Sequence, residues 1–264
     1  MARYQVILAY DGTEFCGFQR QGEERTVQLV VEEALRQIGW QEKTIYAAGR
    51  TDTGVHASGQ VIAFDLNWRH DVDVLLRALN ANLPGDVSVK RAEIVDDNFH
   101  PRFQARFRSY QYRIYSDAER DPFLDHTAWR VFPELNLDLL NQAAANLIGR
   151  HDFSAFGTPP QKGGSTIRMI YRAEWEKTGL NVISFGVTGT AFLYHMVRRM
   201  VLLQVQVAQE RLSLESFGSM VREQKILAPG LAPAHGLFLA KVGFTRDVQW
   251  TEQNSSAAPF ETFL

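Results

Sequence analysis

An α+β fold is predicted by two observations. Strand-like and helix-like stretches follow one another as β-α-β-β-α-β up to about residue 95, and the same order returns after residue 105. A β-α-β-β-α-β unit is the ferredoxin-like arrangement. Two ferredoxin-like halves are therefore expected, with mainly antiparallel sheets side by side and a cleft between them. The expected division is 1–104, 105–249 and a tail over 250–264.

Residues 3–10, RYQVILAY, read as a strand from their β-branched and aromatic content. The glycine-punctuated loop DGTEFCGFQRQG follows. Over 26–39, Thr26 is a plausible N-cap, Val27, Val30, Val31, Ala34, Leu35 and Ile38 recur at helical spacing, and Gly39 stops the helix. Strands are expected at 44–48 and 60–65, a helix at 71–81 ended by LPG, and a strand at 87–95. The second half reads as a strand at 106–115, a helix at 136–148, strands at 169–177 and 181–188, helices at 191–208 and 213–223, and a strand at 236–244. Residues 116–126 and 157–166 read as loops. In the tail, Phe260, Phe263 and Leu264 could dock.

The chain has 264 residues, 45% hydrophobic and 22% charged, the balance of a folded protein with a sizeable core. Cys16 is its one cysteine, which excludes an internal disulfide and a CxxC metal site. The N-terminus carries no signal-like apolar run. MVLLQVQVA at 200–208 is too short and too polar to span a bilayer. The expectation is a cytoplasmic protein without a membrane segment. A net charge of −2 does not mark a strong non-specific nucleic-acid binder; such a function needs its basic groups gathered on one face.

Three stretches could carry chemistry. The first is AAGRTDTGVHASGQVIAFD at 47–65, where Asp52 follows Arg50 and precedes His56, and the next acid is Asp65 at the end of the stretch. Asp-Thr-Gly is also the aspartic-protease tripeptide, but those enzymes need two such acids sharing a proton, and here there is one copy. The bland alternative is a turn in which Asp52 bonds its own backbone. A lone ionised carboxylate can act as nucleophile or base. It suits a reaction whose leaving group never departs, such as isomerisation about a glycosidic bond.

The second stretch, FHPRFQARFRSYQYRIY at 99–115, interleaves Arg102, Arg106, Arg108 and Arg113 with aromatic rings and contains no acid. If extended, Arg106, Arg108, Tyr110 and Tyr112 share one face, a pattern suited to phosphates beside unstacked bases. A half-buried strand with a solvated face is the alternative. The third is TAFLYHMVRRMVLLQVQVAQER, whose apolar residues read as core. Arg198 stands out there, since an arginine among apolar neighbours either snorkels outward or pairs with a buried acid. His195 and His56 read as packed or hydrogen-bonded histidines rather than metal ligands.

GRTDTGVHASGQV at 49–61 resembles the active-site signature of the TruA family of tRNA pseudouridine synthases. YDGTEFCGFQRQ at 10–21, NANLPGDV at 80–87, FHPRFQARFRSYQYRIY, HDFSAF at 151–156 and AFLYHMVRRMV at 191–201 fall in the family's order and spacing. The resemblance runs from about residue 3 to about residue 245. It implies an isomerase that converts uridine to pseudouridine in the anticodon stem-loop of tRNA, at positions 38, 39 and 40. It implies no metal, no organic cofactor and a homodimer whose two subunits touch one tRNA. It assigns Asp52 as the catalytic aspartate, Tyr110 as the tyrosine that packs against the target base, Arg50 as the signature arginine, and Arg198 as the helix arginine that pairs with the aspartate. Two positions depart from the family: Thr53 stands where Ala is common, and Arg199 and a glycine-free helix follow Arg198. A non-catalytic RNA-binding module is the competing reading. The absence of an RNP1-like stretch and the presence of the Asp52 loop speak against it.

Overall fold

The computed structural model describes residues 1–223 and 227–244; the expected docking of Phe260, Phe263 and Leu264 lies outside them. Strand β1 (Ala2–Tyr10) alternates, with Tyr4, Val6, Leu8 and Tyr10 buried, because successive side chains of a strand point to opposite faces. Thr26 starts α1 (Val27–Gln37) by accepting from the Leu29 N–H, and Val27, Val31, Ala34 and Leu35 form its buried stripe. Glu32 lies on the same stripe, fully buried. It is kept there by Arg20 at 2.6 Å, Gln28 at 2.7 Å and the Ile45 N–H at 3.3 Å, since an unpaired buried carboxylate is very costly.

The first half continues through β2 (Tyr46–Ala47), β3 (His56–Leu66), α2 (Val72–Asn82), β4 (Val87–Val95) and the short α3 (Pro101–Gln104). Next come β5 (Phe107–Tyr115), β6 (Trp129–Arg130), α4 (Leu137–Ala145), β7 (Gly149–Asp152), β8 (Ile167–Lys177) and β9 (Val182–Gly189). The described elements end with α5 (Met196–Ala208), α6 (Leu214–Arg222) and β10 (Leu237–Gly243). Among the described residues no helix is long and apolar enough to cross a membrane.

The fold is α+β with a mainly antiparallel sheet, as expected. The strands meet in one ten-stranded sheet, in the order β4-β1-β3-β10-β5-β9-β8-β7, with β2 on β3 and β6 on β5. Only β10–β3 and β5–β6 pair in parallel. The seam is β10, which sits between β3 and β5. It comes close enough through Gly59, where a Cβ would lie 2.2 Å from the Ala240 carbonyl oxygen. Two buried clusters flank this seam. One is built on Val6, Leu8, Leu35, Phe64 and Leu75 with Leu239; the other on Tyr112, Leu140, Phe153, Phe185, Met200 and Phe217.

Two elements depart from the sequence expectation in ways that matter for the site. Strand β3 begins at His56 rather than at residue 60, because β10 pairs with His56 and Ala57. Helix α5 begins at Met196 rather than at residue 191. Tyr194 is drawn into a bridge with Thr158, and His195 takes a left-handed conformation at φ 64°. The glycine-free α5 fills its core side with Met200, Val201, Leu203, Val205 and Val207. Arg199 is buried too, and donates to the carbonyls of Ala228 and Phe156, both at 2.7 Å. The arginine that departs from the family pattern is thus a strut between α5 and two loops.

Candidate active site

Asp52 lies in the loop between β2 and β3, and the loop after β1 clamps it from below. Gly12 makes that packing possible, since a Cβ there would sit 2.1 Å from the Val55 carbonyl oxygen. The Phe18 N–H donates to the Thr51 carbonyl at 3.0 Å, and the Gly54 N–H to that of Phe15 at 3.3 Å. The Tyr10 hydroxyl bonds Thr51 Oγ1 at 2.8 Å. The Val55 N–H closes a turn on the Asp52 carbonyl at 3.1 Å. The turn expected of Asp52 therefore exists, but it uses the residue's backbone and leaves the carboxylate free for other work.

The carboxylate meets the N-terminal end of α5. Arg198 Nη1 lies 3.4 Å and His195 Nε2 3.5 Å from the same oxygen, Oδ2. No group among the described residues bonds Oδ1. The Asp52 side chain is 24% exposed, sheltered but open to a ligand. Arg198 is aimed from behind, because its Nε donates to the Ala232 carbonyl at 2.8 Å and the Ala232 N–H returns to the Arg198 carbonyl at 3.2 Å. Burial lowers the His195 imidazole below its ordinary value; Asp52 opposes that fall, and Arg198 and Arg199 add to it. At neutral pH His195 is therefore an uncharged neighbour of Asp52.

Tyr110 is half-buried, with its ring edge-to-face on Phe192 at 5.0 Å between centroids. Burial pushes its phenol up to about 12; Arg108 pulls the other way and the Asp52 carboxylate adds to the rise. Arg50 is exposed, and its side chain has no partner among the described residues. The sequence expectation that Arg106, Arg108, Tyr110 and Tyr112 form one ligand-facing stripe needs correction. Arg108 spends its guanidinium on carbonyls, two bonds to Ala48 at 2.7 and 3.3 Å and others to Thr190 and Arg102. Tyr112 is in the core and donates to the Pro233 carbonyl at 2.8 Å. Arg106 is the arginine of that face that stays exposed. Arg108 instead ties β5, which carries Tyr110, to the loop that carries Asp52.

His56 plays a similar fastening role. Its Nδ1 accepts from the Gly12 N–H at 3.0 Å and its Nε2 donates to the His235 carbonyl at 3.0 Å, an assignment that requires the neutral ring. Asp11 stands 3.1 Å from Nδ1 and Phe238 stacks on the ring at 4.6 Å. Burial, the largest influence, lowers the His56 pKa from 6.5 despite Asp11. The unfolded chain then binds a proton that the native ring refuses. Stability contributed by neutral His56 is complete above pH 6.5 and declines as pH falls below it. Urea midpoints measured from pH 8 to pH 5 should drop on the acid side for the wild type and drop less for His56→Gln. Equal slopes would remove His56 as the cause.

Sequence reasoning missed His195 as a neighbour of the acid. The one available signal was its place three residues before Arg198. Among the described residues no cluster of three or more His, Cys, Asp or Glu is placed to hold a metal ion. A hollow of about 510 Å³ lies away from Asp52, between Trp129, Phe132, Leu202 and Arg211.

A family described as tRNA pseudouridine synthase matches residues 6–104 and 143–245. The tRNA pseudouridine synthase A of Pseudothermotoga lettingae is 41% identical over 245 residues, covering 92% of this chain and all of that protein. That of Thermotoga neapolitana is 42% identical over 246 residues, covering 92% of this chain and all of its own length. That of Lactiplantibacillus plantarum is 39% identical over 253 residues, with 93% of this chain and 95% of the relative covered. With a family match and relatives of this identity along nearly its whole length, the chain belongs to the tRNA pseudouridine synthase family.

Proposed function

We propose that this protein is an isomerase that converts uridine to pseudouridine in tRNA, with Asp52 as the reacting carboxylate. The observation that carries the reading is the arrangement at Asp52: Oδ2 is held by Arg198 with His195 3.5 Å away, and Oδ1 has no partner among the described residues. Family membership supports the reaction class. A stacked uridine cannot offer its sugar carbon to a carboxylate, so the nucleotide is flipped out at a cost of a few kcal/mol. Arg50, exposed and without a partner among the described residues, occupies the vacated space or a neighbouring phosphate. Tyr110 packs on the extruded uracil.

The carboxylate either attacks C1′ or removes the 2′ proton. In both routes the N1–C1′ bond breaks while the uracil stays trapped. The base turns and C5 bonds to C1′; in the first route this displaces the Asp52 carboxylate from C1′, and in the second the carboxyl group returns its proton to C2′. The C5 hydrogen leaves as a proton and N1 takes one up. Arg198 keeps the carboxylate aimed through its contact with Oδ2. The finer reading rests on the TruA resemblance: the target lies in the anticodon stem-loop at positions 38, 39 and 40, and two copies of the chain share one tRNA in the cytoplasm.

Tritium release from tRNA labelled at uridine C5 tests the reaction, because an RNA-binding module releases none. Tyr110→Phe keeps the ring and should hold KM within about twofold while lowering kcat; Tyr110→Ala should lose about 10²-fold in kcat/KM. Wild-type turnover by Tyr110→Ala would remove the stacking role.

A further inference from the structure

Tyr194 is 56% exposed, although Leu193 and Met196 around it are buried at 4% and 1%. Its ring stacks on His195 with centroids 3.6 Å apart and planes 27° off parallel. That same imidazole reaches Asp52 Oδ2 at 3.5 Å. The pair is rigidly mounted. The Tyr194 N–H donates to the Thr158 carbonyl at 2.9 Å, and His195 is held in the left-handed region at φ 64°. A non-glycine residue stays in that region only where its surroundings enforce it. No second ring and no cation covers the outer face of Tyr194 among the described residues.

We propose that the Tyr194–His195 stack is a second base platform, which receives the nucleotide adjoining the target uridine. The proposal rests on the isomerase reading and names a further binding site within it. Neighbouring nucleotides are joined through a single phosphate, so the adjoining base stays close to the target even when the target is flipped out of the stack. A strand whose target sugar reaches Asp52 therefore carries the adjoining base past a ring that stands one stacking distance beyond His195. An open aromatic face accepts any base, so the platform positions the strand without reading its sequence. Being already ordered, it loses little freedom when the RNA arrives.

The test uses the full chain and three unmodified tRNA transcripts: intact, and with a single abasic residue on the 5′ or the 3′ side of the target uridine. KM and kcat are read by tritium release, and affinity by equilibrium binding. Tyr194→Ala should raise KM and Kd about tenfold on the intact RNA and less than twofold on one of the abasic RNAs, while Tyr194→Phe behaves as the wild type. Wild-type affinity of Tyr194→Ala for intact RNA would overturn the proposal. So would an equal loss on all three RNAs, which marks a packing role. The binding measurements read the platform even if no tritium is released, so failure of the isomerase reading and failure of the platform give different results.

Discussion

Asp52→Asn is expected to lower tritium release from C5-labelled tRNA by at least about 10³-fold, with RNA binding retained. The amide is nearly the same shape as the carboxylate, so the loop should keep its backbone bonds to Phe15, Phe18 and Val55. What is lost is the negative charge. An amide oxygen neither attacks a sugar carbon nor takes up a 2′ proton at a useful rate. The measurement pairs single-turnover tritium release with equilibrium binding of the same transcript. Activity within tenfold of the wild type would end the assignment of Asp52. Loss of binding together with activity would mark a folding defect, which a urea titration detects.

Arg198→Lys carries the next largest effect. One guanidinium here serves two partners at once, Ala232 through Nε and Asp52 through Nη1. A lysine ammonium is a single point on a flexible stem and cannot hold both positions. With the carboxylate no longer aimed or electrostatically supported, kcat should fall about 10²-fold while KM changes little. The charge is kept, so the loss would report geometry. Arg198→Met removes the charge as well and should lose more. Wild-type kcat in Arg198→Lys would show that the pairing with Asp52 is incidental.

Much of the fold was legible because long elements repeat a period. The buried alternation in β1 and the apolar stripe of α1 are visible in the letters RYQVILAY and TVQLVVEEAL. The short α3, β6 and β7 were missed, since two to four residues show no periodicity. The start of α5 was misplaced because nothing local breaks the helix at 191–195; the bridge from Thr158 does that, from a distant part of the chain. The site was harder. Asp52 and Arg198 lie 146 residues apart, and only the family resemblance had suggested that they meet. Arg198 and Arg199 are adjacent in sequence, yet helical rotation sends one to the acid and the other into a nest of carbonyls. Arginines such as the part-buried Arg108 and the buried Arg199 mislead a reading from sequence, because their partners are backbone oxygens that any residue could supply.

The seam at β10 has a consequence for how the molecule is made. A ribosome delivers β3 and β5 long before it delivers Leu237–Gly243, the strand that separates them. Until then the nascent chain carries two open strand edges that invite pairing with other chains. The carboxylate belongs to the early half, and its arginine and tyrosine to the late one, so a polypeptide halted short of that last strand would lack the join beside which they meet.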